Sequence, residues 1–132
     1  MPETTLDPEP PLDDLAARTS FKALARRLRQ FAVDRDWEQF HTPKNLATAL
    51  VAEAGELAAE FQWLTAAQSA APSPTQLERI RAEAADVLIY LVRLADKLEF
   101  DLLAAAMDKI DSNEARYPAD KVRGSSNKYT EY

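Results

Sequence analysis

Two glutamates stand where leucines belong, and each has a second acid one helical turn further on. Along residues 43–65 an apolar stripe runs through Leu46, Leu50, Leu57, Phe61 and Leu64, and Glu53 falls on it between Leu50 and Leu57. Glu56 follows Glu53 at i+3, the spacing of helix neighbours. Residues 74–98 repeat the arrangement. Ile80, Val87, Leu91, Leu94 and Leu98 mark a face, Glu83 fits between Ile80 and Val87, and Asp86 follows at i+3. An ionised carboxylate on an apolar face is costly unless it is paired or metal-bound. If the two faces meet, up to four negative charges converge, which raises pKa values or forces the helices apart. A hard divalent cation resolves the conflict, because Mg²⁺ takes oxygen ligands and commonly carries a substrate phosphate with it. Glu53, Glu56, Glu83 and Asp86 are therefore candidate metal ligands. The plainer reading is solvated acid on an amphipathic helix; two matched pairs favour the metal. Glu60 lies one step off the stripe and reads as solvated, and Arg79 and Arg81 should point away from it.

Composition narrows the remaining chemistry. The 132 residues suit one domain of ordinary size. There is no cysteine, so thiolate zinc sites, disulfides and cysteine nucleophiles are excluded. One histidine excludes two-histidine zinc helices and paired Glu-x-x-His di-iron motifs. Two glycines, Gly55 and Gly124, are too few for a P-loop or Rossmann phosphate loop. The net charge of −6 argues against a nucleic-acid partner, but not against a phosphorylated ligand arriving with Mg²⁺. No apolar run exceeds six residues, the length of Val87 to Val92, far short of a membrane span. The N-terminus has acids and prolines where a secretory signal would be basic and then apolar. The expectation is a cytoplasmic protein that does not engage a membrane.

The elements that must position the acids read as four helices with short links, an all-α bundle. Residues 1–12 carry four prolines and three acids and are expected to be a disordered arm. Residues 13–36 form the first helix, with Asp13, Asp14, Thr19 and Ser20 each able to cap it. Residues 37–42 form an aromatic loop. Thr42-Pro43 starts a second helix reaching about Thr65, and a linker spans 66–72. Ser73-Pro74-Thr75-Gln76 is a capping box that opens the third helix, to about Leu98. Asp101 caps a fourth helix that Pro118 stops after Arg116, so the helical domain spans 13–116. An irregular tail occupies 117–132. Leu88, Ile89 and Val92 lie off the stripe holding Leu91 and Leu94. The third helix is thus apolar nearly all round there, needs burial on two sides, and predicts a homo-oligomer.

Glu53-x-x-Glu56 and Glu83-x-x-Asp86 together resemble the ExxE…ExxD signature of the MazG-like all-α nucleoside triphosphate pyrophosphohydrolases. The stretches RDWEQFH (35–41), EAGELAAEFQW (53–63), DVLIYLV (86–92), RYP (116–118), RGS (123–125) and KYT (128–130) resemble the dCTP pyrophosphatase branch. The resemblance covers about residues 20–132. It implies a four-helix protomer, a homotetramer built as a dimer of dimers, Mg²⁺ as cofactor, and hydrolysis of dNTP to dNMP and pyrophosphate. By it, cytosine is favoured, including 5-substituted forms, with deoxyribose, and Glu53, Glu56, Glu83 and Asp86 are the metal ligands. It also implies that Trp37 and Trp63 line the base pocket, that Lys109, Asn113, Arg116 and Tyr117 contact phosphates or sugar, and that Tyr90 lies near them.

Spacing agrees in part. Lys109, Asn113 and Arg116 share a face of the fourth helix, which suits a polyphosphate, or equally an exposed charged surface near a helix C-terminus. Trp63 lies seven residues beyond Glu56, about 10 Å along a continuous helix. His41 follows Trp37 at i+4 and is a candidate nucleotide contact, or a loop residue with a backbone hydrogen bond. Two alternatives stand beside this reading. One is a pyrophosphohydrolase of broader specificity. The other is a non-enzymatic helical interaction module whose acids pair across an interface.

Overall fold

Each long helix begins at a residue built to cap it. In the computed structural model, which describes residues 19–128 and 130, the order is α1 (Phe21–Asp34), a 3₁₀ turn (Glu38–Phe40), α2 (Pro43–Ala59), α3 (Ala66–Ala70), α4 (Pro74–Lys97), α5 (Leu102–Arg116) and α6 (Ala119–Val122). Ser20 accepts from the Ala23 N–H at 3.0 Å and starts α1. Thr42 accepts from Asn45 N–H at 3.2 Å, with Pro43 in the first turn, and starts α2. Ser73 and Gln76 form the expected capping box at α4. Asp101 accepts from Ala104 N–H at 2.9 Å and starts α5. These side chains satisfy amide donors that have no partner inside the helix. All regular structure among the described residues is helical, as the sequence predicts. The arm expected at 1–12 and the first residues of the helix expected from 13, with the caps Asp13 and Asp14, lie outside the described residues.

Three boundaries differ from expectation. The second helix ends at Ala59 rather than near Thr65. Tight i→i−3 bonds from Glu60, Phe61 and Leu64 N–H replace its ladder. The linker at 66–72 carries a short helix, α3, because Thr65 and Gln68 form a second capping box. The tail carries the four-residue α6.

The chain divides into two compact units, Met1–Leu98 and Glu99–Tyr132. In the first, α4 is central and packs along α2 and against α1. Ala32, Leu46, Val92 and Ala95 form its buried apolar core, one or two from each long helix. The second unit holds α5 and α6; no residue of α5 is buried, and Leu103, Met107 and Ile110 are half exposed or more.

The turn between α1 and α2 has a defined geometry. Arg35 caps α1, and Asp36 takes a left-handed conformation at φ 53°. The Asp36 N–H reaches Val33 O at 3.1 Å and the Trp37 N–H reaches Ala32 O at 2.9 Å. This is the Schellman arrangement, with aspartate where glycine is commonest. Gln39 Nε2 donates to both the carbonyl and the carboxylate of Asp36, at 3.0 and 2.9 Å, which holds the turn. The chain therefore leaves α1 in a fixed direction and delivers Trp37 and His41 to one place.

Candidate active site

Packing α2 against α4 brings the two stripes together and their acids with them. Glu53, Glu83 and Asp86 each offer an oxygen, and the three lie within 4.8 Å of one another. No ion pair to another described residue engages them. Partial burial, and then the charges of Asp86, Glu56, Glu53 and Glu60 in that order, push the Glu83 carboxyl up from its ordinary value. Glu56 lies outside the close set of three, yet its charge still reaches Glu83. An all-carboxylate donor set that repels itself fits a hard divalent cation such as Mg²⁺.

Glu60 departs from expectation. It is only 20% exposed and accepts from Arg79 Nε at 3.0 Å, so it is not simply solvated. The reason is the early end of α2: Glu60 caps that helix and turns toward α4. Its charge is offset in part by Arg79 while those of Glu53, Glu83 and Asp86 are left to a ligand.

A cavity of about 520 Å³ adjoins the acids. Glu53 and Asp86 line it from α2 and α4, together with Tyr90, Ile89 and Arg93 of α4. Leu24, Leu28 and Phe31 of α1 supply its apolar wall, and Trp37 and His41 enter from the turn. The aromatics are ordered by edge-to-face contacts. The Phe31 and Trp37 rings lie 5.7 Å apart at 70°, and those of Trp37 and His41 lie 6.3 Å apart at 61°. Arg35 sits 3.6 Å over the Phe31 ring. Carboxylates for a cation beside an aromatic slot for a flat ring is the arrangement a metal–nucleotide complex needs.

Of the expected site residues, the first unit therefore gathers Glu53, Glu83, Asp86, Trp37, His41 and Tyr90. Trp63 stands in the turn after α2, is 87% exposed, and does not line the cavity. Projecting it from Glu56 assumes a helix that has already ended at Ala59. Lys109, Asn113 and Arg116 belong to the second unit and share α5, with Tyr117 capping that helix through its N–H to Asn113 O at 2.8 Å.

Sequence reasoning passed over an ion network behind the aromatic turn. Arg93 is the one buried charged residue among those described, 3% exposed. Its Nη1 donates to Asp96 at 3.1 Å and its Nη2 to Glu38, while its Nε reaches Nδ1 of His41 at 3.4 Å. Arg29 adds a two-pronged bond to Asp96 at 2.6 and 3.1 Å, and Lys97 pairs with Glu38. The Asp96 hydrogen bond raises the Arg29 pKa, whereas burial lowers those of Arg93 and Lys97. The legible signal was a lone arginine inside the apolar run Leu91-Val92-Arg93-Leu94-Ala95. Such a cation must be matched by acids from elsewhere.

Comparison with known proteins places the chain in a family. A profile of the MazG-like family matches residues 49–132. The chain is 47% identical over 130 residues to dCTP pyrophosphatase 1 of Homo sapiens, an alignment covering 96% of this chain and 71% of that protein. It is 45% identical over 127 residues to dCTP pyrophosphatase 1 of Mus musculus, covering 94% and 69%. Among solved structures, a pyrophosphatase from Archaeoglobus fulgidus aligns with a TM-score of 0.65 at 38% identity, over 74% of this chain and 91% of that one. The chain belongs to the MazG-like family.

Proposed function

We propose that this chain hydrolyses deoxynucleoside triphosphates, dCTP and 5-modified dCTP foremost, to the monophosphate and pyrophosphate. One observation carries the reading: carboxylates from two helices converge, unpaired by any described cation, beside an aromatic cavity of about 520 Å³. Likeness to the dCTP pyrophosphatases of Homo sapiens and Mus musculus supports the base. Glu53, Glu56, Glu83 and Asp86 would hold Mg²⁺. When bound, the cation supplies charge that offsets what develops on the phosphate oxygens. Glu53 or Glu56 orients the attacking water and takes its proton, as a carboxylate near a repelling cluster can. The bond broken joins the α- and β-phosphates, and pyrophosphate leaves with the electron pair. Trp37 stacks on the base, and His41 and Tyr90 line the same slot. Lys109, Asn113, Arg116 and Tyr117 are proposed phosphate or sugar contacts on their shared helix end and on the family likeness. The place of Trp63 in base binding rests on that likeness alone.

The same reading includes a homotetramer in the cytoplasm. Support for assembly comes from large apolar side chains left on the protomer surface, among them Val51 at 72% and Met107 at 60% exposed. No helix among the described residues is long and apolar enough to cross a membrane.

Thermal melting with and without Mg²⁺ separates the enzyme from an interaction module. A cation that binds the native state alone raises the melting temperature. The reading expects a rise with Mg²⁺ that Glu53→Gln abolishes, together with Mg²⁺-dependent loss of dCTP. No specific rise and no turnover would favour the module.

A further inference from the structure

Arg93 makes three bonds that point in three directions, as the five-donor fork of a guanidinium allows. Two of its partners, Glu38 and His41, belong to the turn that carries Trp37. The third, Asp96, also accepts from Arg29 of α1 at both carboxylate oxygens. Arginine keeps its proton, so the Nε–H can meet Nδ1 of His41 only if that nitrogen offers a lone pair. The His41 proton must then sit on Nε2. Nε2 makes no hydrogen bond to another described residue, and His41 lines the cavity. We infer that Arg93 is a positioning residue for base recognition: it fixes His41 as the neutral Nε2–H tautomer and, through Glu38, holds the Trp37–His41 turn, so that one fixed donor faces the base edge.

The consequence is selectivity. Cytosine presents an acceptor at N3, whereas thymine and uracil present N–H there, so a fixed donor suits the first and meets hydrogen against hydrogen on the others. Freed from Arg93, the imidazole could flip or shift its proton and accept either. The charged groups around His41 act in the same sense. Partial burial and then Lys97 lower its pKa, and Arg93 stands in contact, while Glu38 and Asp96 are already engaged by Arg93, Lys97 and Arg29. The inference rests on the nucleotide reading of the cavity, but its first test does not.

His41 is the only histidine in the chain, so ¹⁵N NMR of the imidazole in the full-length protein is assigned without ambiguity. The expected spectrum near neutral pH is a single Nε2–H tautomer with bare Nδ1, and Arg93→Met should convert it to a mixture. An Nδ1–H tautomer, an imidazolium or a mixture in the unsubstituted protein would overturn the lock, whether or not the chain hydrolyses dCTP. Kinetics then test the role. Arg93→Met should raise KM for dCTP more than it lowers kcat, and narrow the preference for dCTP over dTTP by about 10-fold, the scale of one hydrogen bond. Arg93 is buried, so a folding defect is checked by circular dichroism, and a second pair of variants avoids it. His41→Gln places an amide near Nε2 and should keep more of the preference than His41→Asn, which places it near Nδ1. Equal loss in both, or an unchanged preference in folded Arg93→Met, would refute the positioning role. The tautomer without turnover of any nucleoside triphosphate would refute the base-recognition role and the proposed function together.

Discussion

At the scale of single residues, function depends on which acids are paired. Glu60 has Arg79; Glu53, Glu83 and Asp86 have no described cation. Removing charge from the unpaired set should therefore cut turnover yet spare the fold. Glu53→Gln or Asp86→Asn is expected to lower the rate of dCTP hydrolysis by at least ~10²-fold, the scale for losing one electrostatic stabiliser of a transition state. Circular dichroism should remain helical, and steady-state rates with Mg²⁺ check the loss. Glu83 gives a pH signature. Its carboxyl is held above the ordinary value in the native state, so the native chain keeps a proton that the unfolded chain has lost. Metal-free stability should then fall as pH rises from the ordinary glutamate range through the raised value. Melting in the presence of a chelator should show that decline, Glu83→Gln should flatten it, and Mg²⁺ should reverse it. His41 works the opposite way. Its pKa is lowered by burial and by Lys97, so its contribution is present above the ordinary histidine value and is lost as pH falls through the lowered one.

At the scale of elements, the turn after α1 decides whether the cavity has an aromatic wall. Asp36 in its left-handed conformation launches Trp37, and a β-branched residue there is strained. Asp36→Val should cost about 1–3 kcal/mol of stability. It should also weaken nucleotide binding, read by quenching of tryptophan fluorescence with dCTP and Ca²⁺. Trp37→Ala should weaken the same binding by about 1–3 kcal/mol and leave Mg²⁺ affinity intact. The capped helix starts at Thr42, Ser73 and Asp101 were legible because their signals are local: a hydroxyl or carboxylate, a proline, a glutamine at the third helical position. The convergence of Glu53, Glu83 and Asp86 was legible because helical periodicity projects them onto or beside stripes. The end of α2 was not, since Glu60 to Leu64 keep an apolar rhythm while bonding as turns. Nor was the Arg93 network, whose partners His41 and Glu38 are 52 and 55 residues away in sequence. Long-range pairing of this kind leaves only an oddity in the chain, a charge inside an apolar run.

At the scale of the whole molecule, the first unit places a self-repelling carboxylate set beside a slot for a flat ring, and the surface keeps apolar side chains that an isolated protomer leaves wet. Light scattering at micromolar concentration is expected to find a homotetramer, and a stable monomer would contradict the assembly. The central claim concerns the bond that is cut. Two glycines exclude a loop that would cradle the γ-phosphate for ordinary ATPase chemistry, and the acids sit mid-helix, suited to a cation near the α-phosphate. Chromatography of dCTP incubated with the full chain and Mg²⁺ tests this most directly. Cleavage between the α- and β-phosphates predicts dCMP and pyrophosphate in equal amounts; release of dCDP and orthophosphate would contradict it.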